Sequence, residues 1–371
     1  MDFIDLKAQQ QAILPALKER IERVLAHGQY IMGPEIQELE ERLAAYVGVT
    51  HAISCSSGTD ALLMPLMAYG VGPGDAIFTT PFTFIATGEV IQLLGATPVF
   101  VDIDPRTFNI DPEALAETIA QVSRNPRTCH LKPKGIIPVD LFGQPADYDR
   151  ISALAREHGL FVLEDAAQSF GATYKGRRSG SLAEVAATSF FPAKPLGGYG
   201  DGGAIFTDND GLAEVMRSLR IHGQGSHRYE NVRLGLNARM DTLQAAILLA
   251  KLEVFDREAA ARQEVARRYQ DALQNIVQVP YVSPDGTSIW AQYSVLSDER
   301  AKWQAKLKEA GIPTAIYYPL PLHRQGAFTH LGYKNGDFPI SERTCQLIFS
   351  LPMHPYLSIP DQQRIIQAFV S

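Results

Sequence analysis

Lys194 lies in the run Ser189-Phe190-Phe191-Pro192-Ala193-Lys194-Pro195-Leu196-Gly197-Gly198-Tyr199-Gly200-Asp201-Gly202-Gly203, an amine among apolar and glycine neighbours. A lysine in so dry a setting loses hydration, which favours the neutral amine and makes it a nucleophile toward a carbonyl. Most lysines are solvated charges on an apolar stem, so this one needs a second residue to support a chemical role. Asp165 offers that support from the earlier run Gly159-Leu160-Phe161-Val162-Leu163-Glu164-Asp165-Ala166-Ala167-Gln168. Leu160 to Leu163 reads as a buried strand with the carboxylate at its end, and open α/β sheets bind ligands outside the carboxyl ends of their strands. Alone, Asp165 fits a helix N-cap ahead of Ala166. Together, the two residues suit pyridoxal phosphate: the lysine holds the cofactor aldehyde as an imine, and the carboxylate keeps the pyridinium nitrogen protonated so that the ring accepts electrons from a substrate Cα.

A third group is Ser54-Cys55-Ser56-Ser57-Gly58-Thr59-Asp60-Ala61-Leu62, between the strand-like His51-Ala52-Ile53 and an apolar helical stretch. Small residues before a helix let backbone N–H groups approach a phosphate, whose charge the helix dipole favours. The same residues also fit an ordinary capped helix. Phe84 follows the strand Ala76 to Thr79 and could stack on a cofactor ring, although alone it reads as core.

These residues, in this order, resemble the DegT/StrS-type sugar-nucleotide aminotransferases, a branch of the fold type I pyridoxal phosphate enzymes. Phe3-Ile4-Asp5-Leu6, His27 to Glu35, Ser57 to Leu62, Glu164 to Ser169, the Lys194 run, Asn237-Ala238-Arg239-Met240 and Leu351-Pro352-Met353-His354-Pro355 carry the resemblance over nearly the whole chain. It implies that Lys194 carries the cofactor imine and then shuttles a proton, that Asp165 holds the pyridine nitrogen, that Phe84 stacks on the ring and that Gln168 approaches its hydroxyl. It further implies that Gly58, Thr59 and Ser189 bind the cofactor phosphate, with Asn237 reaching it from the neighbouring subunit of a homodimer. Some relatives replace the lysine by histidine and become dehydratases, and its presence here favours transamination with L-glutamate as donor.

The Lys194 run and Leu351 to Pro355 look most like the branch that aminates C3 of UDP-linked 2-acetamido-3-oxo-hexuronic acids for O-antigen synthesis. In that branch an arginine two residues after the phosphate asparagine faces the sugar carboxylate, and Arg239 holds that place. A guanidinium grips a carboxylate bidentately. Arg239 fits a cofactor-phosphate or subunit-interface role equally. Tyr317-Tyr318-Pro319 departs from the His-Tyr usual there, which keeps a dTDP-linked 3-keto-6-deoxyhexose as a second substrate reading. Tyr317, Tyr318 and His323 are the remaining candidates for the sugar end of the cleft.

Composition agrees with an enzyme. The 371 residues allow a large and a smaller domain, and 46% hydrophobic residues are ordinary for a soluble protein. A formal net charge of −7 argues against a nucleic-acid partner. Neither a membrane span nor a secretory signal is visible, which suggests the cytoplasm. Cys55, Cys129 and Cys345 are too few and scattered for a disulfide framework or zinc site, and the nine histidines show no metal spacing. A nicotinamide enzyme would need Gly-x-Gly-x-x-Gly, which Ser56-Ser57-Gly58-Thr59 does not supply. A regulatory protein on the same fold would be marked by loss of the lysine or aspartate.

The elements that must position these residues follow from apolar runs. Strands are expected at Ala76 to Thr79, Pro98 to Ile103, Gly135 to Val139, Leu160 to Leu163, Thr188 to Phe191 and Ala204 to Thr207, alternating with helices as in a mostly parallel α/β sheet. Ser123 to Lys134 reads as an exposed loop. An N-terminal helix is expected over Ile13 to Ala26. The spacing of Met240, Leu243, Ile247, Ala250 and Val254 predicts one long amphipathic helix continuing through Arg268, its polar face solvated. The domain boundary falls near Leu252, giving residues 1–251 and 252–371. Ile289 to Leu296 and Thr314 to Tyr318 read as strands of the small domain, around a helix at Ala301 to Ala310.

Overall fold

The computed structural model describes residues 1–227 and 229–370. Two helices, α1 (Leu6–His27) and α2 (Pro34–Val47), lead into the sheet-forming region. There β1 (His51–Cys55), α3 (Gly58–Ala68), β2 (Asp75–Thr79), α4 (Ala86–Leu93), β3 (Thr97–Phe100), α5 (Pro112–Gln121), β4 (Lys132–Ile136), α6 (Tyr148–His158) and β5 (Phe161–Asp165) alternate. A two-residue hairpin, β6 (Thr173–Tyr174) and β7 (Arg177–Arg178), precedes β8 (Val185–Ser189), β9 (Gly203–Thr207), α7 (Asp210–Leu219) and α8 (Thr242–Leu252). The chain ends with α9 (Phe255–Leu273), β10 (Tyr293–Leu296), α10 (Arg300–Glu309), α11 (Pro339–Leu347), β11 (Ile348–Leu351) and α12 (Ile359–Val370).

Seven strands form one sheet in the order β1-β9-β8-β5-β4-β2-β3. The pairs from β8 through β3 are parallel, and β9 runs antiparallel to both β8 and β1. The ends of β1, β2, β5 and β8 and the start of β9 therefore share one edge, where the loops bearing Ser57, Phe84, Asp165 and Lys194 emerge. Successive strand residues point to opposite faces. Ile53, Val185, Ala187 and Ile205 pack with α3 and α7, while Ala52, Ala186, Ala204 and Phe206 pack with α2 and α8. Covering both faces is what a mostly parallel sheet requires. The C-terminal region has its own apolar cluster, in which Val265, Tyr269, Tyr293, Trp303, Leu307, Phe349 and Phe369 meet.

Four local expectations need correction. The strand beside β2 begins at Lys132, inside the stretch read as loop, because Lys132 N–H donates to Gly74 O at 2.8 Å and Lys134 Nζ pairs with Asp75 at 2.8 Å. The single long helix is two, α8 and α9, broken at Glu253-Val254. Helix α8 is enclosed by α1 and α2, so even Lys251 on its polar side is buried. The strand read over Ile289 to Leu296 forms only from Tyr293, and it pairs antiparallel with β11. Thr314 to Tyr318, read as a strand, makes only an isolated bridge at Ala315 to Ser350.

Candidate active site

Helix α3 starts where β1 ends. Ser57 caps it by accepting from Asp60 N–H at 3.0 Å, and the hydroxyls of Ser56 and Ser57 both reach the Asp60 carboxylate. Gly58 lies so close to the end of β8 that a Cβ there would come within 2.6 Å of Ser189 Cβ. Across the cradle, a Cβ on Gly203 would come within 2.4 Å of Ser57 O. Glycine at these two positions lets the helix N-terminus, Thr59 and the Ser189 hydroxyl share one small space, as phosphate binding requires. Ser56 N–H donates to Ala238 O at 3.0 Å, so the segment holding Asn237 and Arg239 passes the rim. Asn237 is exposed; Arg239 is half-buried, its Nε enclosed without a hydrogen-bond partner among the described residues.

Asp165 ends β5 and is buried. Its Oδ2 accepts from Thr87 Oγ1 at 2.8 Å and its Oδ1 from Ala167 N–H at 3.2 Å. Burial raises its pKa, while Thr87, the Ala167 N–H and the Lys194 charge oppose that rise. A cation placed against this carboxylate would hold it ionised. Lys194 follows β8 in a turn closed by its own N–H to Phe191 O at 2.8 Å. The loop is fixed further on by Gly198 N–H to Phe190 O and by Tyr199 N–H to Gln244 Oε1, each at 2.8 Å. The stem of Lys194 is half-buried, and burial of its ammonium brings the pKa down to about 8 against the opposing pull of Asp165.

Phe84 is half exposed at the mouth of the loop before α4. Gln168 is held by its Oε1, which accepts from Phe142 N–H at 2.9 Å, and its Nε2 donates to Tyr318 Oη at 3.3 Å. Tyr318 thereby joins the Asp165 side of the site, and burial raises its pKa. Tyr317 packs edge-on against Phe3 and Tyr318. His323 is buried. Its ring is enclosed by Phe338 at 4.7 Å, its Nε2 meets Glu342 at 3.0 Å, and no contact among the described residues joins it to Lys194, Asp165 or Tyr318. Its Nδ1 is enclosed without a hydrogen-bond partner among the described residues. Thr87 is the partner that the sequence did not reveal, since a threonine in the first turn of an apolar helix carries no distinguishing signal.

Residues 12–370 match the DegT/DnrJ/EryC1/StrS aminotransferase family. The chain belongs to that family. It is 52% identical to the UDP-2-acetamido-2-deoxy-3-oxo-D-glucuronate aminotransferase of Pseudomonas aeruginosa, with 96% of each chain covered. It is 44% identical to a pleiotropic regulatory protein of Geobacillus stearothermophilus, over 98% of this chain and 96% of that one. Among solved structures, a DegT DnrJ EryC1 StrS aminotransferase from Brucella abortus superposes with a TM-score of 0.96 at 50% identity, covering 100% of this chain and 98% of that one. NtdA from Bacillus subtilis with bound cofactor PMP superposes with a TM-score of 0.88 at 30% identity, covering 99% and 82%. The α/β fold with its mostly parallel seven-stranded sheet is that of these aminotransferases. Among the described residues no helix is long and apolar enough to cross a membrane, and no group of three or more His, Cys, Asp or Glu could hold a metal ion.

Proposed function

We propose that this aminotransferase uses pyridoxal 5′-phosphate to move an amino group from L-glutamate to C3 of UDP-2-acetamido-2-deoxy-3-oxo-glucuronate, in the making of O-antigen sugars. The observation that carries the reading is Lys194, an amine with a pKa near 8, set on the same sheet edge as a buried Asp165. The residues fit the cofactor: a glycine-lined helix N-terminus for its phosphate, a buried carboxylate for its ring nitrogen and an amine for its aldehyde. When bound, pyridoxal phosphate supplies the carbonyl that receives the amino group and the ring that accepts the electron pair of the donor's Cα–H bond.

The chain's own groups do the rest. Asp165, oriented by Thr87, holds a proton on the ring nitrogen. Lys194 would hold the cofactor aldehyde and, as a free amine, would carry the proton between the donor Cα and C4′, transfers that its pKa near 8 suits near neutral pH. Gly58, Thr59 and Ser189 would hold the phosphate, Phe84 would stack on the ring, and Gln168, tied to Tyr318, would approach its hydroxyl. Arg239 grips the uronate carboxylate, a role that its place two residues after Asn237 and the similarity to the Pseudomonas enzyme support. We take the assembly to be a cytoplasmic homodimer with Asn237 reaching the partner's cradle. Tyr30, Ile31, Met32, Val232 and Leu234 are exposed apolar side chains, which supports burial against a partner. We also take residues 1–251 and 252–371 as the two domains.

Arg239→Ala tests the substrate. Losing a charged hydrogen-bond pair is worth about 1.5–3 kcal/mol, so kcat/KM for the uronate should fall roughly 10- to 100-fold. A neutral dTDP-linked 3-keto sugar should be turned over nearly as before. Equal losses on both substrates would remove the carboxylate role.

A further inference from the structure

Asp140 and Glu164 are both fully buried and flank Asp165. Glu164 precedes it on β5, and Asp140 N–H donates to Asp165 O at 3.1 Å. Hydroxyls link the two carboxyl groups. Ser169 Oγ is 2.8 Å from Asp140 Oδ2, the hydroxyls of Ser169 and Ser179 touch, and Ser179 Oγ is 2.9 Å from Glu164 Oε1. Three oxygen-to-oxygen links need three hydrogens, and two hydroxyls bring only two. With both carboxylates ionised, each serine would donate to its own carboxylate, and the two serine oxygens would face each other with lone pairs alone. One further proton completes the chain.

The surroundings decide who holds it. Both oxygens of Glu164 accept from backbone N–H groups, Oε1 from Gly180 at 2.6 Å and Oε2 from Leu182 at 2.9 Å, which favours the ionised form. Asp140 Oδ1 accepts from Ala146 N–H at 3.0 Å and Tyr148 Oη at 2.9 Å, but Oδ2 faces only hydroxyls, Ser169 and, at 3.3 Å, Ser179. We propose that Asp140 is a carboxylic acid in the folded protein, its Oδ2–H donating to Ser169, Ser169 to Ser179, and Ser179 to an ionised Glu164. Burial and the neighbouring Glu164 charge both push Asp140 up, in the same direction.

The buried pair then carries one negative charge. A second would set more negative charge beside Asp165 and raise its pKa further. The chain also ties together the loop after β4, the segment bearing Gln168 and the turn after β7. Asp140 is thus a positioning residue for Asp165. That consequence rests on the cofactor reading above, whereas the proton count does not.

Infrared difference spectra of the wild type against Asp140→Asn, in H2O and D2O at neutral pH, test the assignment. The wild type should show the C=O stretch of a protonated carboxylic acid that shifts in D2O, and Asp140→Asn should lack it. Asp140→Asn keeps a donor toward Ser169 and should retain cofactor affinity within about threefold. Glu164→Gln sets an amide donor against backbone N–H groups and should lose about tenfold or more. In Ser169→Ala the band should move to higher frequency, because the nearer acceptor of the Asp140 proton is lost and only Ser179, at 3.3 Å, is left. A wild type without the band, a band unmoved in Ser169→Ala, or one lost only in Glu164→Gln would overturn the proposal. Failure of the cofactor reading would appear differently, as an intact band in a protein that does not react with pyridoxal phosphate.

Discussion

At the scale of single residues, the account turns on how much of Lys194 is a neutral amine. An ordinary lysine titrates near 10.5, and burial brings Lys194 to about 8. At pH 7 about 10% of it is neutral, against roughly 0.03% of an ordinary lysine. Only the neutral form attacks an aldehyde, so a lowered pKa moves the reactive window down in pH. Borohydride trapping of pyridoxal phosphate on the cofactor-free protein, read by peptide mass, should rise with pH to a half-maximal rate near 8 at Lys194. A midpoint near 10 would mean that the amine is not desolvated. Lys194 and Asp165 were legible in the sequence because each sits just past an apolar run, and the site lies where such runs end. Thr87 and the Gln168 to Tyr318 contact were not, because they join residues far apart in sequence through side chains that are unremarkable locally.

At the scale of elements, the cradle depends on α3 beginning hard against β8. Gly58→Ala would set a Cβ 2.6 Å from Ser189 Cβ, and one of the two backbones must move. Cofactor affinity should fall about tenfold or more, a loss of ~1.4 kcal/mol, while the circular dichroism of the cofactor-free protein stays that of the wild type. Unchanged affinity by equilibrium dialysis would place the phosphate elsewhere. The strands of the sheet were readable from their apolar runs, within a few residues at the ends. The break between α8 and α9 was not, because the apolar stripe runs on through Val254 while the chain turns away from the sheet. Strand β4 hid its start in Lys132-Pro133-Lys134, where strand pairing is held by backbone and by Lys134 to Asp75, not by an apolar pattern.

For the whole molecule, the sheet brings the ends of β1, β2, β5 and β8 to one edge, and the candidate groups for phosphate, ring and aldehyde arrive there together. This convergence is what the order of motifs implied but spacing alone could not place. It also bears on the regulatory protein to which the chain is 44% identical: a fold kept only for regulation has no need of both a desolvated lysine and a buried carboxylate on that edge. The measurement that tests this most directly is the absorption of the purified protein with pyridoxal phosphate, before and after excess L-glutamate, in the wild type and in Lys194→Ala. The account predicts a visible band in the wild type that bleaches with glutamate, and no such glutamate-driven turnover of the band in Lys194→Ala. A wild type without the band, or a variant that bleaches as fast as the wild type, would contradict it.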